Sequence, residues 1–398
     1  LINCIFPFYK HSNYLAEMKL LKIALVIVLL ASCKDKVEKK ENMTAADSHS
    51  KIEEKKEQNS PFYVGTYTNG ESEGIYEYSL AEDGKLSKEK LVAKTENPSY
   101  LNFSADKKYL IAANELTEGK VSSFKILKDT LEFINKQSSG GMHPCFVVSN
   151  DEGFVLAANY SSGSVGLLKL KEDGSLTELL DVHQHKGKGA NKRQDGPHAH
   201  SVWLQPTQND VIEVDLGTNE LWFSKLNSET NKIEPKSNEK LAIAKGAGPR
   251  HMAFHPSGKW AYVFGELNNT ITVLAINEAG EFKVESTIST LPEDFKEENT
   301  GADIHISSDG KFLYASNRGH NSIVIFKVKD DGNLEVIGHE SVRGEGPRNF
   351  SLSPDEKFLL VANQYTNNII SFKRDINNGL LTYVDEIKAA TPVCILFK

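Results

Sequence analysis

The chain has little cysteine, no excess of positive charge and no long apolar run. Its four cysteines, Cys4, Cys33, Cys145 and Cys394, are too few and too scattered for a disulfide framework. A formal net charge of −8 leaves no broad basic face of the kind a nucleic-acid partner demands. The strongly apolar stretch at 23–30 falls well short of the roughly 20 residues needed to cross a bilayer. After Pro61 no segment sustains a 3.6-residue apolar period, which excludes an architecture of long amphipathic helices.

What the N-terminal part does contain is a short basic region after Met18 (Lys19, Lys22), the apolar run and then Ala31-Ser32-Cys33. That order is the pattern of a secretory signal. Leu30-Ala31-Ser32-Cys33 resembles the lipobox of bacterial lipoproteins, which implies acylation of Cys33 and a membrane-anchored protein outside the cytoplasm. An ordinary signal peptide with an incidental cysteine is the alternative. Residues 1–17 show no regular pattern and are expected to be an upstream extension, with 18–32 as the signal. Residues 33–60, dense in Lys and Glu and free of aromatics, cannot bury enough apolar surface to order themselves and are expected to form a tether.

Residues 61–398 are rich in Val, Ile, Phe and Tyr and are internally repetitive. "GPRHMAFHPSGKWAYVFGEL" recurs as "NPSYLNFSADKKYLIAANE", "HPCFVVSNDEGFVLAANY", "AHSVWLQPTQNDVIEVDL", "GADIHISSDGKFLYASNR" and "GPRNFSLSPDEKFLLVANQ". A truncated copy, "TPVCILFK", ends the chain. The residues equivalent to Arg250 are Ser99, Cys145, His200, Ala302, Arg348 and Val393, spaced by 46, 55, 50, 52, 46 and 45 residues along the chain. A repeat near 50 residues holding several short strands predicts an all-β fold, a seven-bladed β-propeller of four-stranded blades. The C-terminal copy supplies one strand and the segment from Phe62 supplies further strands with none before them, so N- and C-terminal strands should close the ring in one blade.

In such a ring the starts of the first strands and the ends of the second strands converge on one mouth of the central channel. At the end of the second strand, Glu266 aligns with Asn114, Asn159, Asp215, Asn317 and Asn363, short side chains suited to bonding a following turn. One place later stand Glu115, Tyr160, Leu216, Leu267, Arg318 and Gln364, where Arg318 alone is a cation. His200, Arg250 and Arg348 likewise break a column of small residues. The ionisable exceptions fall in consecutive blades, which points to a site; structural ion pairs across the channel are the alternative. His251, His305 and Arg348 are expected beside it as substrate-binding groups. His183 and His185 belong to a loop with the basic stretch 186–196, which could cover the mouth, and the His198/His200 pair lacks a convincing third ligand for zinc.

"GAGPRHMAFHPSGKWAYV", "ELNNTITVL", "ADIHISSDGKFLYASNRG" and "GPRNFSLSPDEKFLLVANQ" are similar to the seven-bladed lactonase propellers, which include bacterial 6-phosphogluconolactonases and fungal carboxymuconate lactonizing enzymes. The resemblance implies a catalytic quartet of His200, Arg250, Glu266 and Arg318, with no metal and no cofactor. It implies a small-molecule lactone as substrate, opened by base-activated water with arginine stabilising the anion. The protein is expected to act as a monomer that meets a membrane only through the lipid on Cys33. Export conflicts with a phosphorylated sugar lactone, which is made in the cytoplasm. A non-enzymatic surface propeller binding a carbohydrate or protein remains the alternative.

Overall fold

The computed structural model of the chain describes residues 59–205 and 210–398. The expected signal, Cys33 and nearly all of the tether lie outside the described residues. Among the described residues every regular element is a β-strand, arranged as seven antiparallel four-stranded sheets.

The first sheet is the composite blade, ordered Pro392–Phe397, Ser60–Thr66, Gly74–Leu80, Leu86–Lys94 from the inside outwards. Its inner pair is in register at Phe62 with Phe397, Val64 with Ile395 and Gly65 with Cys394, as the truncated copy predicts. Lys398 extends the closure by an ion pair from Nζ to Glu77 at 2.7 Å. Counted from this blade as the first, blades 2 to 7 have inner strands Pro98–Phe103, Pro144–Ser149, Ala199–Leu204, Pro249–Phe254, Thr300–Ile306 and Pro347–Leu352. Each inner strand touches the next all the way round, and Pro392–Phe397 meets Pro98–Phe103 to complete the ring.

Burial follows from this stacking. A second strand such as Phe154–Asn159 or Phe358–Asn363 is buried at every position, because a neighbouring blade covers each of its faces. A fourth strand such as Leu381–Lys388 keeps mostly exposed or half-exposed positions. Seven apolar clusters fill the seven gaps between blades, and each draws on the two blades that flank it. Between blades 5 and 6, for example, Tyr262, Phe264 and Ile271 pack with Ile304, Leu313 and Phe326. Truncating one such aromatic costs about 3–5 kcal/mol.

The hairpin joining first and second strands is built by its own side chains. In blade 7 the Ser353 hydroxyl donates to Asp355 Oδ1 at 2.7 Å and accepts from the Phe358 N–H at 3.0 Å. The left-handed position of this turn is Gly310 (φ 72°) in blade 6, and Glu356 and Lys107 adopt it at 55° elsewhere.

One irregularity recurs in all seven blades. The ladder between first and second strands slips at the same place, between Pro249 and His251 in blade 5 and at the equivalent points elsewhere. Such a bulge sets two residues opposite one and re-aims side chains. Arg250 and its equivalents occupy these bulges, so consecutive pairs such as Arg250–His251, Ser99–Tyr100 and Arg348–Asn349 both reach the channel.

Candidate active site at the channel mouth

The ladder register corrects the sequence alignment of Glu266. Asn114 pairs with Pro98, Asn159 with Pro144 and Asn363 with Pro347, whereas it is Gly265 that pairs with Pro249. Gly265 therefore fills the asparagine column, and Glu266 belongs one place later with Glu115, Tyr160, Leu216, Arg318 and Gln364. The backbone agrees: the Glu266 N–H donates to Gly248 O at 2.8 Å, as Glu115 does to Asn97 and Gln364 to Gly346. Tyr67 completes the column through its N–H to Thr391 O. Glycine, by removing the asparagine landmark, makes Glu266 look like its substitute.

The asparagines also do more than bond a following turn. Asn159, Asn317 and Asn363 each donate 2.9 Å hydrogen bonds to carbonyls leading out of the preceding blade, Ser139, Thr290 and Val342. They lace blades together. Asp215 accepts from the Thr218 N–H at 2.7 Å, the turn contact expected of it, and from His198 N–H at 2.9 Å.

Two rings of side chains thus line the mouth. One holds Tyr67, Glu115, Tyr160, Leu216, Glu266, Arg318 and Gln364; the other holds Ser99, Cys145, His200, Arg250, Ala302, Arg348 and Val393. Where they meet, the expected quartet comes together. Glu266 Oε2 lies 3.1 Å from Arg250 Nε, 3.1 Å from Arg318 Nη2 and 3.7 Å from His200 Nε2. Both arginines are also tethered to the backbone, Arg250 through Nη1 to Ala302 O at 2.6 Å and Arg318 through the same Nη2 to Gly301 O at 2.7 Å. Residues His200, Arg250 and Glu266 are buried.

Arg193, from the basic loop at 186–196, was not singled out in the sequence. Its Nη2 lies 2.7 Å from Glu266 Oε1 and 3.2 Å from the Tyr160 hydroxyl, so this loop does reach the mouth. Burial raises the Glu266 pKa, but Arg318, Arg250 and Arg193 outweigh it and bring the group down to about 2. His200 is driven the other way from protonation: burial, then Arg250, His251 and Arg348, hold it well below the usual histidine range. Its Nδ1 faces Cys145 Sγ at 3.6 Å. Burial and the neighbouring Arg318 and Arg348 lower Arg250 to about 10, which leaves it a cation at neutral pH.

The three neighbours expected to bind substrate take separate places. Arg348 Nη2 lies 3.7 Å from Glu115 Oε2, beside Tyr67, whose hydroxyl donates to the same Glu115 oxygen at 2.8 Å. His251 and His305 both contact Asp303, which the sequence reading missed: His251 Nδ1 at 2.8 Å from Oδ1 and His305 Nε2 at 3.0 Å from Oδ2. Asn349 and the Phe350 N–H also donate to Asp303. Burial and Arg250 push His251 down to about 4 against the pull of Asp303. Between Ser99, Cys145, Arg250, His251 and Arg348 a cavity of about 10 Å³ remains, the scale of a single water. Ser99 Oγ and His251 Nε2 are buried without a hydrogen-bond partner among the described residues, and Arg250 Nε meets Glu266 as an ion pair without hydrogen-bond geometry. Another groove, lined by Thr68, Glu73, Lys94, Phe133 and Lys136, includes no member of either ring.

The remaining histidines divide. His143 and His255 bond local serines as framework groups, Nδ1 to Ser161 and Ser257 at 2.8 Å. His198 stacks on Tyr160 and contacts its carbonyl, while His200 meets the same ring edge-on. His183 is not in a loop as expected. It lies on the fourth strand of blade 3, Asp181–Gln184, with His185 directly after it.

Fold and site together describe a closed seven-bladed propeller with an ionised, arginine-rich mouth. Residues 61–397 match the family described as lactonase, 7-bladed beta-propeller. The 6-phosphogluconolactonase of Bacillus subtilis is 40% identical over 343 residues, covering 84% of this chain and 97% of that one. A 6-phosphogluconolactonase of Formosa agariphila is 35% identical, covering 80% and 94%. The structure of a periplasmic gluconolactonase from Pseudomonas aeruginosa superposes with a TM-score of 0.82 at 31% identity, covering 85% of this chain and 99% of that one. The chain belongs to the seven-bladed β-propeller lactonases and is a lactonase.

Proposed function

We propose that the protein hydrolyses a sugar lactone bearing an anionic group at this mouth, with His200 as general base. The observation that carries the reading is the charge balance of the two rings and their loop. Among the described residues Arg193, Arg250, Arg318 and Arg348 form ion pairs with two carboxylates, Glu115 and Glu266, and a third, Asp303, acts on Arg250, so four guanidiniums stand against three carboxylates in a chain whose net charge is −8. An excess of guanidinium in a buried setting favours a ligand that brings negative charge, held in the bidentate manner arginine allows.

Both groups are held below their usual pKa range, and direct guanidinium contact, made by Glu266 alone, separates their roles. Glu266, held ionised by three guanidiniums, is a poor proton acceptor. His200 is neutral and its Nε2 faces the mouth beside Glu266. It takes a proton from water as the water attacks the ring carbonyl, and the imidazolium so formed is stabilised by Glu266. Arg250 and Arg318 are placed to offset the oxyanion that develops on the carbonyl oxygen. Collapse of that intermediate breaks the ring C–O bond; the proton on His200 passes to the departing alkoxide, and the product is a hydroxy acid. The cavity of about 10 Å³ is too small for a sugar, so the lactone binds above it, displacing Arg193 from Glu266.

A second reading concerns the substrate's charge. The signal-like N-terminal pattern and the periplasmic gluconolactonase from Pseudomonas aeruginosa both favour an unphosphorylated lactone outside the cytoplasm. Comparing kcat/KM for 6-phosphogluconolactone and gluconolactone decides it. A preference for the phosphorylated ring supports the anion reading, equal rates support the second, and no turnover of any lactone ends both.

A further inference from the structure

Blade 4 breaks the propeller repeat in a second place, away from the two rings. Glu213 lies two residues before Asp215 in the strand Asp210–Asp215. The other second strands put Val64, Ala112, Ala157, Val263, Ala315 and Val361 at this position, each fully buried and apolar. Glu213 is buried as completely as they are. Asp215 likewise replaces the lacing asparagine. Two buried carboxylates in one strand are costly unless something of opposite charge meets them.

What meets them is the fourth strand of blade 3. His183 Nδ1 lies 2.9 Å and His185 Nε2 lies 2.6 Å from the same oxygen, Glu213 Oε2. The three donor atoms sit within 4.8 Å of one another. Two of the donors are also oriented from behind. His185 Nδ1 lies 2.7 Å from Asp215 Oδ2, and its ring stacks flat on Trp222 at 4.3 Å and 9°. Ser224 Oγ donates to Glu213 Oε1 at 2.7 Å, which leaves Oε2 for the histidines. A histidine whose far nitrogen is fixed by a carboxylate is the usual support of a metal ligand. Hydrogen bonds alone would require a buried imidazolium held between two carboxylates; a cation at the shared oxygen replaces that proton.

We propose that His183 Nδ1, His185 Nε2 and Glu213 Oε2 bind a divalent transition-metal ion of the zinc class that clamps blade 3 to blade 4. Tetrahedral bonds of roughly 2.0–2.1 Å set donors about 3.3 Å apart, so each histidine nitrogen has to draw back from Glu213 Oε2 by less than about 1 Å. Water takes the fourth position on the side of His183, the less buried of the two histidines. The ion is structural, since none of its ligands belongs to either ring of the mouth. It anchors a fourth strand of only four residues.

The test uses the full chain, purified without a metal-binding tag, loaded with Zn²⁺ and passed through gel filtration. About one zinc per chain is expected by elemental analysis, and Co²⁺ in its place should give the visible absorption of a tetrahedral site. Chelation should lower Tm and added zinc restore it. His183→Ala should bring bound metal to background while the protein stays folded and keeps its lactonase turnover. Glu213→Gln should do the same to the metal; if it does not fold, the His183 variant and the wild-type measurements still decide. Folded wild-type protein that retains under about a tenth of an equivalent, with no cobalt spectrum and no zinc-dependent Tm, overturns the proposal. So does an unchanged cobalt spectrum in His183→Ala.

Discussion

His200 Nε2 stands 3.7 Å from Glu266 Oε2, and both groups are held deprotonated, Glu266 as the carboxylate and His200 as the neutral imidazole. Arg250 acts on both: with Arg318 and Arg193 it keeps Glu266 ionised, and with burial, His251 and Arg348 it keeps His200 neutral.

Arg250→Ala and Arg318→Ala should each lower kcat/KM by about tenfold to a hundredfold, the value of one charge-assisted contact of roughly 1.5–3 kcal/mol. Arg193→Ala should act mainly on KM, because Arg193 is the most exposed of the three partners of Glu266. Steady-state kinetics on folded variants checks both, and wild-type constants for Arg250→Ala and Arg318→Ala would place the anion elsewhere.

Stability should fall on the acid side in two stages. An unfolded chain protonates histidine near 6.5, whereas folded His251 resists until about 4, so the unfolded state binds more protons between those values and stability drops as pH falls through them. His200 adds to this in the same direction. Below 4.5 Glu266 takes over, since its folded pKa of about 2 gives stability that is present above 4.5 and lost on the way down. Calorimetry between pH 7 and 3 should show Tm declining steadily, and His251→Asn should flatten the upper part of the curve. A Tm independent of pH over that span contradicts the buried charge states.

Deleting residues 391–398 removes the inner strand of the composite blade together with the Lys398–Glu77 ion pair and leaves two open edges. The truncated protein should be insoluble or melt far below the parent. Equal melting temperatures would mean that the ring does not depend on this closure.

Lipid attachment at Cys33 is a proposal from the sequence. Expression from Met18 in a bacterial host should give a membrane-bound product released by detergent, and Cys33→Ala should block acylation. Unlipidated wild-type protein in the cytosol contradicts it.

The repeat spacing made the blades, the composite closure and a group of ionisable exceptions legible, because a propeller writes its geometry as a period and each copy serves as a control for the others; the family resemblance narrowed that group to the quartet. The register of Glu266 was lost where Gly265 removes the asparagine that marks the column. Arg193 could not be placed because it comes from a loop outside the repeat, and loops carry no period. Asp303 carried no signal in the sequence; that it receives both His251 and His305 depends on the bulge that turns consecutive side chains into the channel. His183 and His185 read as loop residues because the strand that holds His183 and ends just before His185 is only four residues long.

The most direct test is the pair His200→Ala and Glu266→Gln, assayed on a panel of sugar lactones with folding verified by circular dichroism. If His200 is the base, His200→Ala should lose about 10²–10⁴-fold in kcat/KM. Glu266→Gln should fall less, because it removes only a counter-ion. The reverse order would make Glu266 the acceptor in spite of its three guanidiniums, and wild-type turnover in both variants would take the chemistry away from this mouth altogether.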